Sequence, residues 1–171
     1  MTALSESQNQ SQNQHHHEFS ADTIQFLTFT VGEGEYGVDI MTVREIKGWS
    51  ETTRLPNMPG YMRGVINLRG IVVPIFDLRT RFGMGVTEAN PKNVVIILAI
   101  GERTVGVLVD AVSDILTIES NQIKPPPTTE THVEEVFING LISVDERMVV
   151  LLDVNHLFDK ASLNEAADAA A

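Results

Sequence analysis

Apolar residues along this chain cluster into runs of strand length, and polar or glycine-containing segments separate the runs. Flanking Gly, Asn and Pro residues punctuate about ten such segments, and only short helical pieces fit between them. This pattern predicts an all-β fold built from small barrels or a sandwich, and not a parallel α/β sheet. The clearest runs are IQFLTFTV (24–31), YGVDI (36–40), GIVVPIFDL (70–78), VVIILAI (94–100), VGVLVDAV (105–112) and RMVVLLDV (147–154).

The same β unit occurs twice in the sequence. VGEGEYGVDIMTVREI, which begins at Val31, aligns without a gap with IGERTVGVLVDAVSDI, which begins at Ile100, so the offset is 100 − 31 = 69 residues. PIFDLRTRF also aligns with VLLDVNHLF and pairs Asp77 with Asp153, at an offset of 153 − 77 = 76 residues. Because both matches follow the same order, we predict two copies of one unit, about 23–88 and 92–158.

The two ends of the chain have different compositions from the centre. Residues 1–21 are polar and rich in Gln, Asn and Ser, which predicts a disordered tail. Its three histidines, His15, His16 and His17, could bind a metal ion, but we favour no specific site there. NHLFDKASLNEAADAAA contains strong helix formers, so we predict a C-terminal helix that frays into an acidic, alanine-rich tail over 161–171.

The charge balance and the absence of cysteine exclude several classes of function. The 171-residue chain carries 12 Lys and Arg against 23 Asp and Glu, a net charge of −11, which argues against nucleic acid and anionic membranes as partners. With no cysteine, disulfides and thiolate metal sites are excluded. No apolar run is long enough to span a membrane, and no secretory signal is visible, so a reducing cytoplasm is the simplest location.

Two aspartates and one histidine are the candidates for chemistry. Asp77 and Asp153 could form the acid and base of a hydrolase, but each ends a predicted strand before a short helix, where an aspartate caps the helix. We favour capping. His132, with Glu134 and Glu135 nearby, is a candidate metal cluster in a polar loop, and we favour a solvated loop instead. We predict no nucleotide site, because no phosphate-binding glycine motif occurs.

The segment TVREIKGW (42–49) has an unusual alternation for a strand. Val43 and Glu45 point to one face, and Arg44 and Ile46 point to the other, so each face carries one apolar and one charged residue. Such a mixed surface fits an interface that a partner covers. An edge strand protected by charges explains it equally well.

A glycine-flanked arginine follows in GVINLRGIVVPIFDL. Gly70 allows a tight turn, and Arg69 is then displayed at its tip, with Gly64 at the start of the preceding strand. A planar guanidinium in that position suits a carboxylate on another protein, although a solvated turn arginine is the simpler alternative. Pro74 lacks an N–H, so its strand must lie at an edge or leave that donor position unpaired.

Three segments carry a resemblance to a known family. EYGVDIMTVREIKG, LPNMPGYMRGVINLRGIVVPIFDLRTRFG and VGVLVDAVSDIL closely resemble the CheW family of chemotaxis coupling proteins, over about residues 24–158. The resemblance implies a CheW-like domain at 22–160, made of two SH3-like five-stranded β-barrels that share a hydrophobic interface. It also implies no catalysis and no cofactor.

The resemblance further implies partners and the residues that contact them. CheW-like proteins connect the cytoplasmic tips of chemoreceptors to the regulatory domain of the histidine kinase CheA, so we expect recruitment to membrane-associated receptor arrays. The matching interface positions are the coupling strand, the glycine-flanked arginine and apolar positions of an inter-barrel groove for a receptor helix hairpin. These are Val43, Glu45, Ile46, Gly64, Arg69, Gly70, Val94 and Ile115.

Three alternatives to this function stay open from the sequence. One is an adaptor of another receptor–kinase pathway, such as surface motility. Another is the hydrolase built on Asp77 and Asp153, whose carboxylates would have to meet across one cleft. The last is a small-ligand barrel, which needs a sizeable apolar cavity lined by convergent polar groups.

Overall fold

The computed structural model describes residues 22–126 and 137–158. The predicted tails at 1–21 and 161–171, with His15, His16 and His17, lie outside the described residues, and so do His132, Glu134 and Glu135. Short helices are confirmed, but the described part of the C-terminal helix is brief. It ends at Leu157, and Phe158 follows in extended conformation.

Strands dominate the described part of the chain, as the apolar runs predict. Two short α-helices and two 3-10 turns, Ile40–Thr42 and Ser120–Gln122, lie among them. In chain order the elements are β1 Thr23–Val31, β2 Gly34–Asp39, β3 Val43–Gly48, β4 Met62–Leu68, β5 Ile71–Asp77, α1 Leu78–Arg81, β6 Val94–Ile100, β7 Arg103–Val109, β8 Ala111–Glu119, β9 Ile138–Val144, β10 Arg147–Leu152 and α2 Val154–Leu157.

The strands form two five-stranded sheets with the same internal order. Sheet A has the order β8-β1-β2-β10-β9, and sheet B has the order β3-β6-β7-β5-β4. Replacing each strand by its counterpart in the other half (β1 by β6, β2 by β7, and so on) converts one order into the other. The all-β prediction with two five-stranded units is therefore confirmed, and the internal repeat is visible in the topology.

Each sheet nevertheless combines strands from both halves of the sequence. The first half gives β1 and β2 to sheet A but β3, β4 and β5 to sheet B, and the second half does the converse. The chain changes sheet after Asp39, where a 3-10 turn separates β2 from β3, and again at Asp110, between β7 and β8. One sheet per sequence half therefore does not describe this fold, while the boundaries 23–88 and 92–158 stay a prediction.

The core is divided into clusters on both faces of the sheets, which explains the continuous apolar runs. Val95 and Ile97 of β6 belong to a cluster within sheet B, whereas Ile96 and Leu98 on the opposite face belong to a large shared cluster with residues of both sheets. A strand buried on both faces reads as an uninterrupted apolar run. Sheet A has its own cluster on its far side, with Phe26 of β1 as a member.

Pro74 occupies the position that its missing N–H permits. It lies opposite Val65 on β4. Val65 exchanges both of its backbone hydrogen bonds, each 2.8 Å, with Thr53 on the other side, so it makes none to Pro74. The parallel pairing of β5 with β7 begins one residue later, at Ile75. β5 is thus an inner strand that leaves the proline position unpaired, which is the second of the two predicted arrangements.

Candidate functional site at an edge strand and its arginine turn

β3 lies at one end of sheet B and shows the predicted alternation. Val43, Glu45 and Lys47 are half-buried, while Arg44 and Ile46 are exposed. Ile46 keeps 46% of its surface accessible, which is high for a large apolar residue on a strand. Its neighbour in the sheet is β6, against which Ile46 lies opposite Ile96.

The β4–β5 hairpin presents Arg69 at its tip through a two-residue turn. Arg69 and Gly70 both have positive φ, 50° and 84°, as a type I′ turn requires. Asn67 supports the turn, since its Oδ1 accepts a hydrogen bond of 2.8 Å from the Gly70 N–H. The glycine predicts this turn. The left-handed conformation of Arg69 is not predicted, because a side chain with a Cβ is disfavoured there by about 1–2 kcal/mol.

The structure brings Arg69 and Glu45 into direct contact. The Arg69 Nη2 donates to the Glu45 Oε2 at 2.5 Å, with the side chains 74% and 29% exposed. β3 and β4 are the two ends of the order of sheet B, so this ion pair connects them. The sequence suggested a carboxylate on another protein as the partner of Arg69, whereas the chain itself provides one. With so much of the guanidinium exposed, it can still donate to a second acceptor.

Gly64 permits a close backbone contact that supports the hairpin carrying Arg69. It is buried and has φ 133°, and a Cβ added to it would lie 2.4 Å from the Thr53 carbonyl oxygen. The close approach allows residues 52 and 53 to pack on β4, where Thr53 and Val65 form a bridge. Gly64 therefore belongs to the scaffold that holds the hairpin, and a direct contact of this glycine with a partner is not required.

The apolar candidates occupy three places. Val43 shares β3 with Glu45, and Val94 lies opposite Gly48 at the far end of the same strand pair. Both are half-buried and pack against the shared core. Ile115 lies on β8, at the end of sheet A, and is 52% exposed. It is the repeat counterpart of Ile46, since 46 + 69 = 115. The predicted partial exposure is present at all of these positions, and their role in binding stays a prediction.

Sequence reasoning missed exposed apolar residues beside the arginine turn. Ile71 and Val72, the first residues of β5, are 58% and 43% exposed, although their run reads as core. The repeat carries a signal that could have located them. Val72 aligns with Met148 (72 + 76 = 148), which is 53% exposed, and a charged Arg147 stands at the position of Ile71.

The two aspartates are helix caps, as predicted. The Asp77 carboxylate is fully buried and accepts hydrogen bonds from the Arg79 and Thr80 N–H groups, and the Thr87 N–H and hydroxyl lie 2.8 and 2.6 Å away. Asp153 caps α2 at the equivalent position. A hydrolytic pair needs both carboxylates in one open cleft, so the burial of Asp77 removes the support for that alternative.

The described residues provide little support for a small-ligand or metal site. Two surface clefts of about 490 and 470 Å³ are lined mainly by polar side chains, unlike the apolar cavity that a ligand-binding barrel needs. Within 22–126 and 137–158, no three His, Asp or Glu residues are placed to hold a metal ion. None of the helices in these ranges has the length and apolar character needed to cross a membrane.

Comparison with known proteins identifies the family. The model of the CheW-like domain matches residues 25–162. The chain belongs to the CheW family. A probable chemotaxis protein CheW of Rhizobium etli is 43% identical over 143 residues, which cover 84% of this chain and 92% of the relative. The chemotaxis protein CheW of Klebsiella aerogenes is 41% identical over 139 residues, with coverages of 81% and 84%.

A solved CheW structure agrees with the fold. The crystal structure of the scaffolding protein TtCheW from Thermoanaerobacter tengcongensis superposes with a TM-score of 0.76 at 32% identity, and the match covers 86% of this chain and 96% of TtCheW. A more partial relative is protein FrzA of Myxococcus xanthus, 31% identical over 103 residues, which are 60% of this chain and 64% of FrzA.

Proposed function

We propose that this CheW-family protein is a non-catalytic adaptor that couples chemoreceptors to the histidine kinase CheA. The names of its relatives, chemotaxis proteins and a scaffolding protein, support the chemotaxis role. In this proposal the protein joins receptor arrays at the membrane by binding the cytoplasmic tips of receptors and the regulatory domain of CheA. Its work is done by binding alone.

The observation that carries the proposal is the exposed ion pair of Arg69 and Glu45 beside exposed apolar residues. Ile71 and Val72 are exposed directly after the Arg69 turn, whereas Ile46 follows Glu45 on β3 with its side chain on the opposite face of the strand. Left in water, such an ion pair contributes only about 0–1 kcal/mol to stability. Covered by a partner, losing one member of a hydrogen-bonded charge pair costs about 2–5 kcal/mol of binding. Removing either charge should therefore reduce binding by more than it reduces the stability of the free protein.

The remaining candidates supply apolar contact area for the receptor. Val43, Ile46, Val94 and Ile115 are partly exposed on strands at or next to the ends of the two sheets. An amphipathic helix can seat apolar residues against the exposed members of this set, Ile46 at the end of sheet B or Ile115 at the end of sheet A, in the helix-in-groove mode of recognition. The acidic net charge does not oppose this, because the contact is mainly apolar and Arg69 supplies a local cation.

Reversal of the charges at positions 45 and 69 tests the proposal. Arg69→Glu and Glu45→Arg should each reduce binding of a receptor-tip fragment and the CheA regulatory domain in a pull-down by at least about tenfold, the equivalent of about 1.4 kcal/mol. The double variant, which recreates the pair, should recover part of the binding if the partner reads the pair's geometry. Receptor-dependent kinase activation should follow binding.

An ion pair of the same type on sheet A provides a control. The Arg147 Nη1 lies 3.1 Å from the Glu35 Oε1, with side chains 45% and 14% exposed. Arg147→Glu removes this pair and should leave binding within about twofold of wild type, because β10 carries none of the proposed contact residues. Equal losses from Arg69→Glu and Arg147→Glu, or undiminished binding in all variants, would contradict the proposal.

The partial likeness to FrzA favours a second candidate, an adaptor of another receptor–kinase pathway. The same surface would then serve a different receptor and kinase. Pull-downs from the native host with an Arg69→Glu bait as the control separate the two cases. Recovery of a chemotaxis CheA by the wild-type bait alone supports the first candidate, and recovery of a different kinase supports the second.

A further inference from the structure

Arg81, the last residue of α1, lies between two aromatic rings that belong to different sheets. Its Cζ atom is 4.9 Å from the centre of the Tyr61 ring and 4.5 Å from the centre of the Phe137 ring. Tyr61 directly precedes β4 of sheet B, and Phe137 directly precedes β9 of sheet A. A guanidinium at such distances is attracted by the electrons of an aromatic ring. Arg81 therefore contacts residues of both sheets.

The same arginine also bonds to the other short α-helix. Its Nε donates a hydrogen bond of 2.7 Å to the carbonyl oxygen of Leu157, the last residue of α2. The last carbonyl groups of a helix have no partner within the helix, so this donor satisfies one of them. Since α1 follows β5 of sheet B and α2 follows β10 of sheet A, the bond is a second connection between the sheets.

The residues that make these contacts are counterparts in the repeat. Tyr61 corresponds to Phe137 (61 + 76 = 137), and Arg81 corresponds to its own acceptor, Leu157 (81 + 76 = 157). In both halves, the N–H of the capping aspartate donates to the carbonyl oxygen of the aromatic residue, at 2.7 and 2.8 Å. Equivalent positions thus meet here, and an arginine on both sides would place two like charges together. One arginine against one leucine avoids that repulsion.

The distance between two exposed isoleucines depends on how the sheets are held. Ile46 of β3 lies opposite Ile96, and Ile115 of β8 lies opposite Leu27. Residues opposite each other on neighbouring strands share a face, and both Ile96 and Leu27 belong to the cluster that the sheets share. Ile46 and Ile115 therefore lie at the margin of that cluster, one on each sheet. A shift of one sheet against the other would change the distance between them.

Apolar packing alone defines the position of the sheets less sharply than a polar contact does. Contacts between apolar side chains are non-directional, and cores tolerate rearrangement when volume and pattern are kept. A guanidinium is planar and donates along fixed directions. We propose that Arg81 is a positioning residue that fixes sheet A against sheet B, and with them Ile115 against Ile46. The consequence for binding rests on the proposed adaptor role, whereas the position of the sheets does not.

Two spin labels measure the position of the sheets in the free protein. Glu33 and Glu102 are exposed counterparts (33 + 69 = 102) in the β1–β2 turn of sheet A and the β6–β7 turn of sheet B. Labels at Glu33→Cys and Glu102→Cys are specific, because the chain has no cysteine of its own. By double electron–electron resonance, Arg81→Leu should widen the distance distribution by about twofold, since leucine makes neither the stacking contacts nor the hydrogen bond.

A second variant and a control complete the test. Arg81→Lys keeps the charge but loses the planar group and the Nε donor, so it should also widen the distribution. Arg147→Leu removes an arginine whose ion pair with Glu35 lies within sheet A, and should leave the width unchanged. An unchanged width in both Arg81 variants overturns the proposal, and so does equal widening by Arg147→Leu. Loss of folding in both Arg81 variants also overturns it, because Arg81 would then serve stability in general.

Binding distinguishes this proposal from the adaptor role. A receptor-tip fragment that contacts the edges of both sheets should bind the unlabelled Arg81→Lys protein at least about threefold more weakly than wild type, because the two edges are no longer held at one distance. A wider distribution with undiminished binding would still support the positioning by Arg81, and would contradict only a partner contact that uses both Ile46 and Ile115. Weaker binding with an unchanged distribution would overturn the positioning role.

Discussion

Arg69 has an unfavourable backbone conformation and an exposed guanidinium group. Its φ of 50° places a long side chain in the left-handed region, where a Cβ is disfavoured. Nothing in the turn itself requires an arginine, because glycine at both central positions would form the same type I′ turn without strain. The ion pair with Glu45 offsets only part of that disadvantage. A contact outside the fold therefore explains an arginine at this position better than the turn does.

Replacing Arg69 separates folding from binding. Arg69→Gly should be more stable than Arg69→Ala by about 1 kcal/mol, because both lose the ion pair and only alanine retains the disfavoured Cβ. Both variants should lose most of the receptor-dependent activation of CheA, and Arg69→Lys should recover little of it because the planar fork is lost. Urea unfolding and a coupled kinase assay measure the two effects. Normal activation by Arg69→Gly would remove Arg69 from the interface.

Because of Tyr36, the stability of the protein depends on pH in the alkaline range. Burial raises the pKa of its hydroxyl above the ordinary value for tyrosine. An unfolded chain releases this proton near pH 10, whereas the folded protein retains it to higher pH. The contribution of Tyr36 is therefore fully present below about pH 10 and is lost as pH rises through the folded pKa, because ionisation stabilises the unfolded state first.

The Tyr36→Phe variant isolates this contribution. Its free energy of unfolding should fall less steeply than that of wild type above about pH 10, with parallel behaviour at pH 7–9. Urea titrations at each pH provide the comparison. Identical slopes for both proteins in the alkaline range would show that Tyr36 does not cause the loss.

At the scale of elements, the repeat relates hairpins that have the same shape and different charges. Asp145 and Glu146 form the β9–β10 turn with φ of 47° and 67°, at the positions equivalent to Arg69 and Gly70 (69 + 76 = 145). β9 also matches β4 residue for residue, since 62 + 76 = 138 and 68 + 76 = 144. Sequence predicts these elements well because alternation, glycine and capping are local signals.

The two capping aspartates occupy equivalent positions but differ in burial and in the groups that they contact. Asp77 is buried and also holds Thr87, whereas the Asp153 side chain is 20% exposed and has His156 as its neighbour at 2.6 Å. Asp77→Ala should lower the free energy of unfolding by about 3 kcal/mol, since it removes a cap and leaves buried donors unpaired. Asp153→Ala should cost about 1 kcal/mol. Equal losses in urea unfolding would contradict this assignment.

Ile46 and Ile115 test whether the ends of the two sheets serve binding. Each is about half exposed, so Ile46→Asp and Ile115→Asp should change the free energy of unfolding by less than about 1 kcal/mol. Both should weaken binding of a receptor-tip fragment, because a charge would replace apolar contact area. Val86→Asp, at a 66% exposed loop position, is the control and should bind normally. A large loss of stability in either isoleucine variant would identify it as core.

At the scale of the whole molecule, the arrangement of the strands is only partly predictable from the sequence. The repeat predicts two similar units, and their strand orders are indeed equivalent. The exchange of strands between sheets is not predictable from the same pattern, because a period of two identifies a strand and its buried face but not its neighbours. The contact of Glu45 with Arg69 depends on this arrangement of strands, since the ion pair joins the two ends of sheet B. The site thus requires pairing between strands that are distant in the sequence, and the local sequence signals do not predict that pairing.

Because each sheet combines strands of both halves, the halves should not fold alone. Residues 1–88 lack the β6 and β7 strands of sheet B and all three strands β8, β9 and β10 of sheet A. We expect this fragment and 89–171 to show no native circular dichroism or dispersed NMR spectrum separately, and to assemble when mixed in equal amounts. The shared cluster and the stacking of Phe76 on Phe158 would then re-form across the break.

In the intact chain, the same interlocking should produce one cooperative unfolding transition. Trp49 fluorescence reports on sheet B, and far-ultraviolet circular dichroism reports on both sheets, so the two urea curves should coincide. Gly106→Ala offers a local perturbation of sheet B, since a Cβ there would lie 2.5 Å from the Ile75 Cδ1. Overpacking of this kind costs about 1–3 kcal/mol, and both probes should shift together. If the fluorescence midpoint moves while the dichroism curve splits into two steps, the sheets unfold independently and the interlocked description fails.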